Sequence, residues 1–122
     1  MGKKRILFVD NRPEFMHQPV IRLRLEGYEV DESTSGEDGL SRLREDDYDL
    51  LMVDADLPES DGWGTIRALR ADPTLQGTKV IVFMAPQGET GKLVLVPVDG
   101  ELRRPFNMAQ MLEAVEKVIG RP

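Results

Sequence analysis

Leu50-Leu51-Met52-Val53 runs four apolar residues into Asp54, and Ile6-Leu7-Phe8-Val9 does the same into Asp10. A third run, Val80-Ile81-Val82-Phe83, ends at Met84-Ala85-Pro86. Unbroken apolar runs this short, closed by polar residues, fit strands covered on both faces, as in a parallel sheet. A shorter strand is expected around Tyr28-Glu29-Val30-Asp31. The segments between the runs read as helices. Met16, Val20 and Leu23 stand at i, i+4 and i+7 before Gly27, a helix stop. Pro13 suits a first turn, whereas Pro19 removes a hydrogen bond and predicts a kink or a late start. Ser35 with Asp38 resembles an N-cap, with Leu40 and Leu43 facing inward. Ile66 and Leu69 mark a short helix before Asp72-Pro73. Asn107 caps the last helix, Met108, Met111, Leu112, Val115 and Ile119 form its apolar stripe, and Gly120 ends it.

Strand and helix in alternation, with buried strands, define an α/β doubly wound parallel sheet. Ligand chemistry in such sheets gathers at the carboxyl ends of the strands, beside the topological switch point. That rule selects Asp10, Asn11, Asp54 and Met84, each of which follows an apolar strand or closes it.

Composition narrows the class further. The chain has 122 residues, 22 acidic and 16 basic side chains, net charge −6, one histidine and no cysteine. The length suits one domain, residues 1–122, with a core large enough to need no staple. Without cysteine there is no disulfide, thiolate nucleophile or Cys-containing zinc site, and one histidine excludes a multi-His metal site. The acidic balance argues against nucleic-acid or anionic-membrane partners. No apolar run approaches the ~18 residues of a membrane span, and four apolar residues after Arg5 are too few for a secretory signal. A cytoplasmic protein is expected.

Two strand-end carboxylates meeting in one crevice repel each other unless something cationic sits between them. Each Asp taken alone reads as a turn cap; two at corresponding strand ends favour a site. Asp54 and Asp56 would then suit a hard cation such as Mg2+, and Asp54 a carboxylate nucleophile towards a phosphoryl group.

The stretch Val53-Asp54-Ala55-Asp56-Leu57-Pro58-Glu59-Ser60-Asp61-Gly62 resembles the phospho-acceptor segment of response-regulator receiver domains, the CheY-like family. The acidic residue, the Pro four later and the Asp-Gly at seven and eight are in place. Likeness continues through Arg5-Ile6-Leu7-Phe8-Val9-Asp10, Ile66 to Pro73, Val80 to Phe83 and Arg104-Pro105-Phe106, nearly the whole chain. The resemblance implies a five-stranded parallel CheY-like (flavodoxin-like) sheet and an aspartate phosphorylated from a histidine kinase with Mg2+ bound. It makes Asp54 the phospho-acceptor, with Asp10, Asn11, Asp54 and the Asp56 backbone carbonyl as the metal set and Arg104 as the phosphoryl-contacting cation.

Four positions depart from that pattern. The acidic pair after the first strand reads Asp10-Asn11, so a neutral amide replaces a charged ligand and weakens metal binding. A register slipped by one would put Asp10 in the ligating place, but the unslipped register matches the family strand without a gap. Met84 stands where the family has a Thr or Ser hydroxyl for the phosphoryl group; by analogy with an oxyanion donor, its loss costs up to about 3 kcal/mol. Arg104 replaces a lysine, keeping charge but not shape. Glu101 stands where the switch aromatic would, and a carboxylate does not swing into an apolar pocket. The segment from Gln87 to about Val96, with Gly88, Gly91 and Leu93 to Val98, reads poorly as helix; a fourth helix that is short, distorted or missing is expected, its apolar residues packing on the sheet or forming a partner surface.

Other signals are weaker. Gly88-Glu89-Thr90-Gly91-Lys92 lacks the leading Gly of a phosphate loop, and Arg67 stands where a dinucleotide motif opened by Gly62-Trp63-Gly64 needs its third Gly. His17 reads as solvated, Trp63 as packing, Glu45-Asp46-Asp47 as a solvated helix end, and Arg103-Arg104 as too small for nucleic acid. Three functions follow. A degenerate receiver acting by protein–protein contact in phosphorelay signalling, with a weakened or absent phospho-switch, is favoured by Asn11, Met84 and Glu101 together. A working phospho-acceptor receiver, partnered by a histidine kinase and a downstream effector, is the alternative. A small haloacid-dehalogenase-type phosphatase, suggested by Asp54-Ala55-Asp56, is remote, because such enzymes need more chain and a nearby lysine. No enzyme activity is expected.

Overall fold

A computed structural model describes residues 2–57, 62–86 and 96–122. Its strands are β1 (Arg5–Val9), β2 (Glu29–Ser33), β3 (Leu50–Asp54), β4 (Lys79–Met84) and β5 (Gly100–Arg103). Its helices are α1 (Pro13–Glu26), α2 (Gly36–Glu45), α3 (Gly62–Ala71) and α4 (Met108–Ile119), with a 3-10 turn at Pro73–Leu75. All pairings are parallel, in the order β2-β1-β3-β4-β5. The expectation of a short, distorted or missing fourth helix across 87 to about 96 concerns residues 87–95, which lie outside the described residues.

The three apolar runs form the three central strands, and alternation along each divides the core in two. Leu7, Val9, Leu51, Val53, Val80 and Val82 pack with Leu43 of α2 and with Trp63, Ile66 and Leu69 of α3. Ile6, Phe8, Leu50, Met52, Ile81 and Phe83 face the other way, onto Met16, Val20 and Leu23 of α1 and Met111 and Val115 of α4. Trp63 is therefore core, in agreement with its expected packing role. Val96 and Val98 also pack on the first of these layers, which favours the sheet-packing reading for that end of the segment.

Local signals account for the helix ends. Ser35 Oγ accepts from the Asp38 N–H at 3.1 Å, and Asn107 and Gln110 form a reciprocal capping box. Gly27 closes α1 at φ 111°, a left-handed conformation that favours glycine. The late start foreseen for α1 is corrected: the helix begins at Pro13 and continues through Pro19, whose buried ring packs into the core side of the helix. The second strand, β2, begins at Glu29, one position after the expected Tyr28, which is buried just before it.

Glu45, Asp46 and Asp47 are exposed at the end of α2, the solvated helix end expected, and Asp46 has a further role. At the end of the sheet remote from the strand carboxyl termini, Arg5 pairs with Asp46 at 2.7 Å and Asp31 at 3.2 Å, and lies 4.7 Å over the Tyr48 ring. The Tyr48 hydroxyl donates to Asp31 Oδ2 at 2.6 Å. Burial first, then that bond to Asp31, pushes the Tyr48 phenol up to about 12. A phenol whose folded value lies above its unfolded one contributes stability that is full below the unfolded value, about 10, and is lost as pH rises through the folded one. Tyr48→Phe is therefore expected to flatten the fall of stability between about pH 10 and 12, read from urea melts across that window.

Candidate functional site

Adjacent β1 and β3 end side by side, at the point where the chain leaves β1 for β2 on one side and β3 lies on the other. Val9 stands opposite Val53, so the next residues, Asp10 and Asp54, emerge together. Both carboxylates are wholly buried. The expected repulsion is met by two guanidiniums.

Arg104 leaves the end of β5, where its backbone N–H donates to the Met84 carbonyl at 2.8 Å. From there Nη1 donates to Asp54 Oδ2 at 3.0 Å and Nη2 to Asp10 Oδ2 at 2.9 Å. Arg12, at the N-cap position of α1, completes the quartet. Its backbone N–H donates to Asp10 Oδ1 at 3.0 Å, its Nε lies 3.4 Å from the same oxygen, and its Nη2 donates to Asp54 Oδ2. The Asp56 backbone N–H donates to Asp54 Oδ1 at 2.7 Å. All four carboxylate oxygens thus accept from nitrogen donors, and the formal charges of two Asp and two Arg cancel. The Arg12 guanidinium carbon lies 4.5 Å from the centre of the Phe15 ring, and that of Arg104 lies 5.6 Å from Phe15 and 5.3 Å from Phe83, so aromatic faces back both cations.

Burial raises the Asp10 carboxyl above its ordinary value; the Arg12 backbone N–H opposes this, the Asp54 charge adds to it, and the charges of Arg104 and Arg12 oppose it. For Arg12, burial works to lower the value, but the Asp10 and Asp54 charges outweigh it and raise it.

Of the residues singled out in the sequence, Asp10, Asp54 and Arg104 meet. Asn11 and the Asp56 side chain are exposed. Met84 is buried in the layer shared with α2 and α3, and offers the site only its backbone carbonyl to Arg104. Glu101 is exposed on β5, 3.8 Å from Arg103, and His17 is exposed on α1. Arg12 was missed. The available signal was a cation at a helix N-terminus, where the dipole disfavours it unless carboxylates lie close. Gly62 positions the other side of the pocket: a Cβ there would stand 2.0 Å from the Asp54 carbonyl oxygen, so only glycine lets α3 start this close to β3.

The donor set does not fit a divalent metal in this arrangement. The carboxylate oxygens are engaged by guanidinium and amide donors, Asn11 points no charge into the pocket, and among the described residues no group of three His, Asp or Glu is placed to hold an ion. No buried side-chain nitrogen or oxygen among the described residues lacks a hydrogen-bond partner. No described helix is long and apolar enough to cross a membrane.

A five-stranded doubly wound sheet with paired aspartates at the β1 and β3 ends and a cation after β5 defines a class before any comparison is made. The response regulator receiver domain model matches residues 6–116, and the chain belongs to that family, the receiver domains of two-component signalling. It is similar to the transcriptional regulatory protein PcoR of Escherichia coli, 27% identical over 97% of this chain and 52% of that protein. The chain thus spans about half the length of that relative. The chemotaxis response regulator CheY4 of Vibrio cholerae has the same fold, with TM-score 0.90 and 21% identity, covering 96% of this chain and 99% of that one. The receiver domain of the sensor histidine kinase PA1611 of Pseudomonas aeruginosa, solved with a magnesium ion in its active-site cleft, superposes with TM-score 0.88 at 25% identity, covering 98% and 99%.

Proposed function

We propose that this chain is an atypical receiver, working by protein–protein contact with its phospho-switch weakened or absent. The observation that carries the reading is the state of Asp54 Oδ2, which accepts from Arg12 and Arg104 at once. A carboxylate whose charge is shared with two guanidiniums is a poor nucleophile: attack through Oδ2 must break both charge-assisted bonds, and Oδ1 is engaged by the Asp56 N–H. Met84 adds to this, since its thioether cannot donate to a phosphoryl oxygen and its side chain is committed to the core. Among the described residues, Asp10 and Asp54 are the buried charged groups that meet in the pocket, and both are already neutralised by guanidiniums, which disfavours magnesium there.

An exposed apolar face supports the contact reading. α1 presents Phe15, Ile21 and Leu25, 46%, 43% and 76% exposed. Beside it a groove of about 290 Å³ runs between Phe8, Phe15, Pro19, Phe106 and Met108, with Arg104 at its edge. Binding rather than turnover is the mode of action. The phosphatase reading is disfavoured because the Asp56 side chain is exposed and only its backbone N–H meets Asp54.

The retained Asp54 and a cation bonded to it favour the second reading, a receiver phosphorylated on Asp54 by a histidine kinase. Incubation with radiolabelled acetyl phosphate and magnesium separates the two. The atypical receiver incorporates no more label than its Asp54→Asn variant. Label that reaches stoichiometry and is lost in Asp54→Asn establishes the phospho-acceptor.

A further inference from the structure

We propose that Arg12 is a tethered cation: its guanidinium takes the place a divalent metal holds in a magnesium-binding receiver, and keeps the pocket closed to metal. This rests on the atypical-receiver reading and gives it a cause.

Three observations converge on Arg12. The first is its reach. Backbone N–H and Nε engage Asp10 while Nη2 engages Asp54, so one side chain spans the two buried carboxylates as a bridging ion would. The second is charge. With Arg104 alone, two buried carboxylates would share one positive charge and the pocket would keep a deficit of one, which a divalent ion is suited to fill; Arg12 removes that deficit. The third is local chain geometry. Arg12 stands at the N-cap of α1, extended at φ −115° and ψ 93°, with no side-chain cap bond to its own helix. A donor-only guanidinium cannot cap its own helix, so the side chain is turned to the carboxylates instead, and Phe15 one turn on backs it.

Asn11 has a different standing in this account. It is exposed and outside the quartet, so a carboxylate restored there meets a pocket whose oxygens are still occupied. The lost acid is the lesser barrier and the added base the greater. Removing the guanidinium exposes a metal site that the two aspartates still define.

Calorimetric titration of MgCl2 at fixed ionic strength into four proteins tests this: the wild type, Asn11→Asp, Arg12→Gln, and the double variant. The expected result is no saturable binding by the wild type or Asn11→Asp, binding by Arg12→Gln, and binding by the double variant about tenfold tighter still, the scale on which single ligand-shell changes act. Arg12→Gln should also gain melting temperature with magnesium but not with sodium at matched ionic strength. Should Arg12→Gln fail to fold, Asn11→Asp remains decisive, because its substitution is at an exposed position: magnesium affinity gained by that variant alone overturns the tethered cation. Folded Arg12→Gln and double variants without magnesium affinity overturn it as well. In that event a wild type that still ignores acetyl phosphate leaves the atypical-receiver reading standing. Saturable magnesium binding by the wild type removes the tethered cation, whereas only label on Asp54 removes the atypical receiver.

Discussion

Arg104→Met is expected to lower the unfolding free energy by about 3–5 kcal/mol, the cost of leaving a buried charge without its partner. Two carboxylates lose a donor at once, since Arg104 bonds Asp54 Oδ2 at 3.0 Å and Asp10 Oδ2 at 2.9 Å, and neither aspartate reaches solvent. Arg12 alone would then face two negative charges. Asp10, whose carboxyl burial already pushes up, is the group that takes a proton in response. Combining Arg104→Met with Asp54→Asn should therefore cost less than the sum of the single changes, because the second removes the charge that the first orphaned. Arg42→Met supplies the contrast. Its pair with Asp38, 2.9 Å apart one helical turn away, is exposed on both sides, and such pairs contribute about 0.3–0.5 kcal/mol. Urea melts of the wild type, Arg104→Met, Asp54→Asn, their double variant and Arg42→Met check both statements. A loss under about 1 kcal/mol for Arg104→Met would mean the quartet is solvated rather than buried.

Gly62→Ala is the second large effect. The added Cβ meets backbone on every side: the Asp54 carbonyl oxygen at 2.0 Å, and Ala55 Cα and Asp54 carbonyl carbon at 2.8 Å. No flexible side chain stands there to move aside, so α3 must shift away from the end of β3 or the strand end must bend. Overpacking costs typically about 1–3 kcal/mol, and contact with backbone alone puts this case at the upper end. The displaced peptide carries the acidic residue of the site, so amide shifts at Asp54 and Asp56 should accompany the loss. Gly39→Ala, where the Cβ would meet side chains alone, a Val9 methyl at 3.0 Å and Leu7 and Ser33 atoms at 3.8 Å, should be milder. Equal costs for the two would contradict a glycine requirement at Gly62 set by the approach of α3 to β3.

How much of this was legible beforehand follows from burial. β1, β3 and β4 are covered on both faces, so each is a continuous apolar run and none was misread. The edge strands carry less signal. Glu29-Val30-Asp31-Glu32-Ser33 buries only Val30 and Ser33, and Gly100-Glu101-Leu102-Arg103 only Leu102, too little alternation to stand out. Capped helices were readable from Ser35 and Asn107, because a cap is a local bond.

The site divides on the same principle. Asp10 and Asp54 were visible because each ends an apolar run, and Arg104 because it precedes a proline within a recognisable segment. Physical reasoning also required a cation between the two carboxylates. What it did not supply was the cation's identity. Arg12 bonds a residue 42 positions away, and no periodicity or spacing encodes a contact of that range. Asn11 drew attention as a missing negative charge. Its neighbour carries the added positive one, and that residue makes the contacts.

The most direct measurement is an NMR titration of the wild-type chain with magnesium and then with beryllofluoride, an acyl-phosphate mimic. A receiver whose Asp54 is held by Arg12 and Arg104 shows no saturable amide shifts at Asp10, Asp54 or Arg104 at either stage. Saturable shifts at those three residues, reaching β5, would contradict it and restore a working phospho-switch.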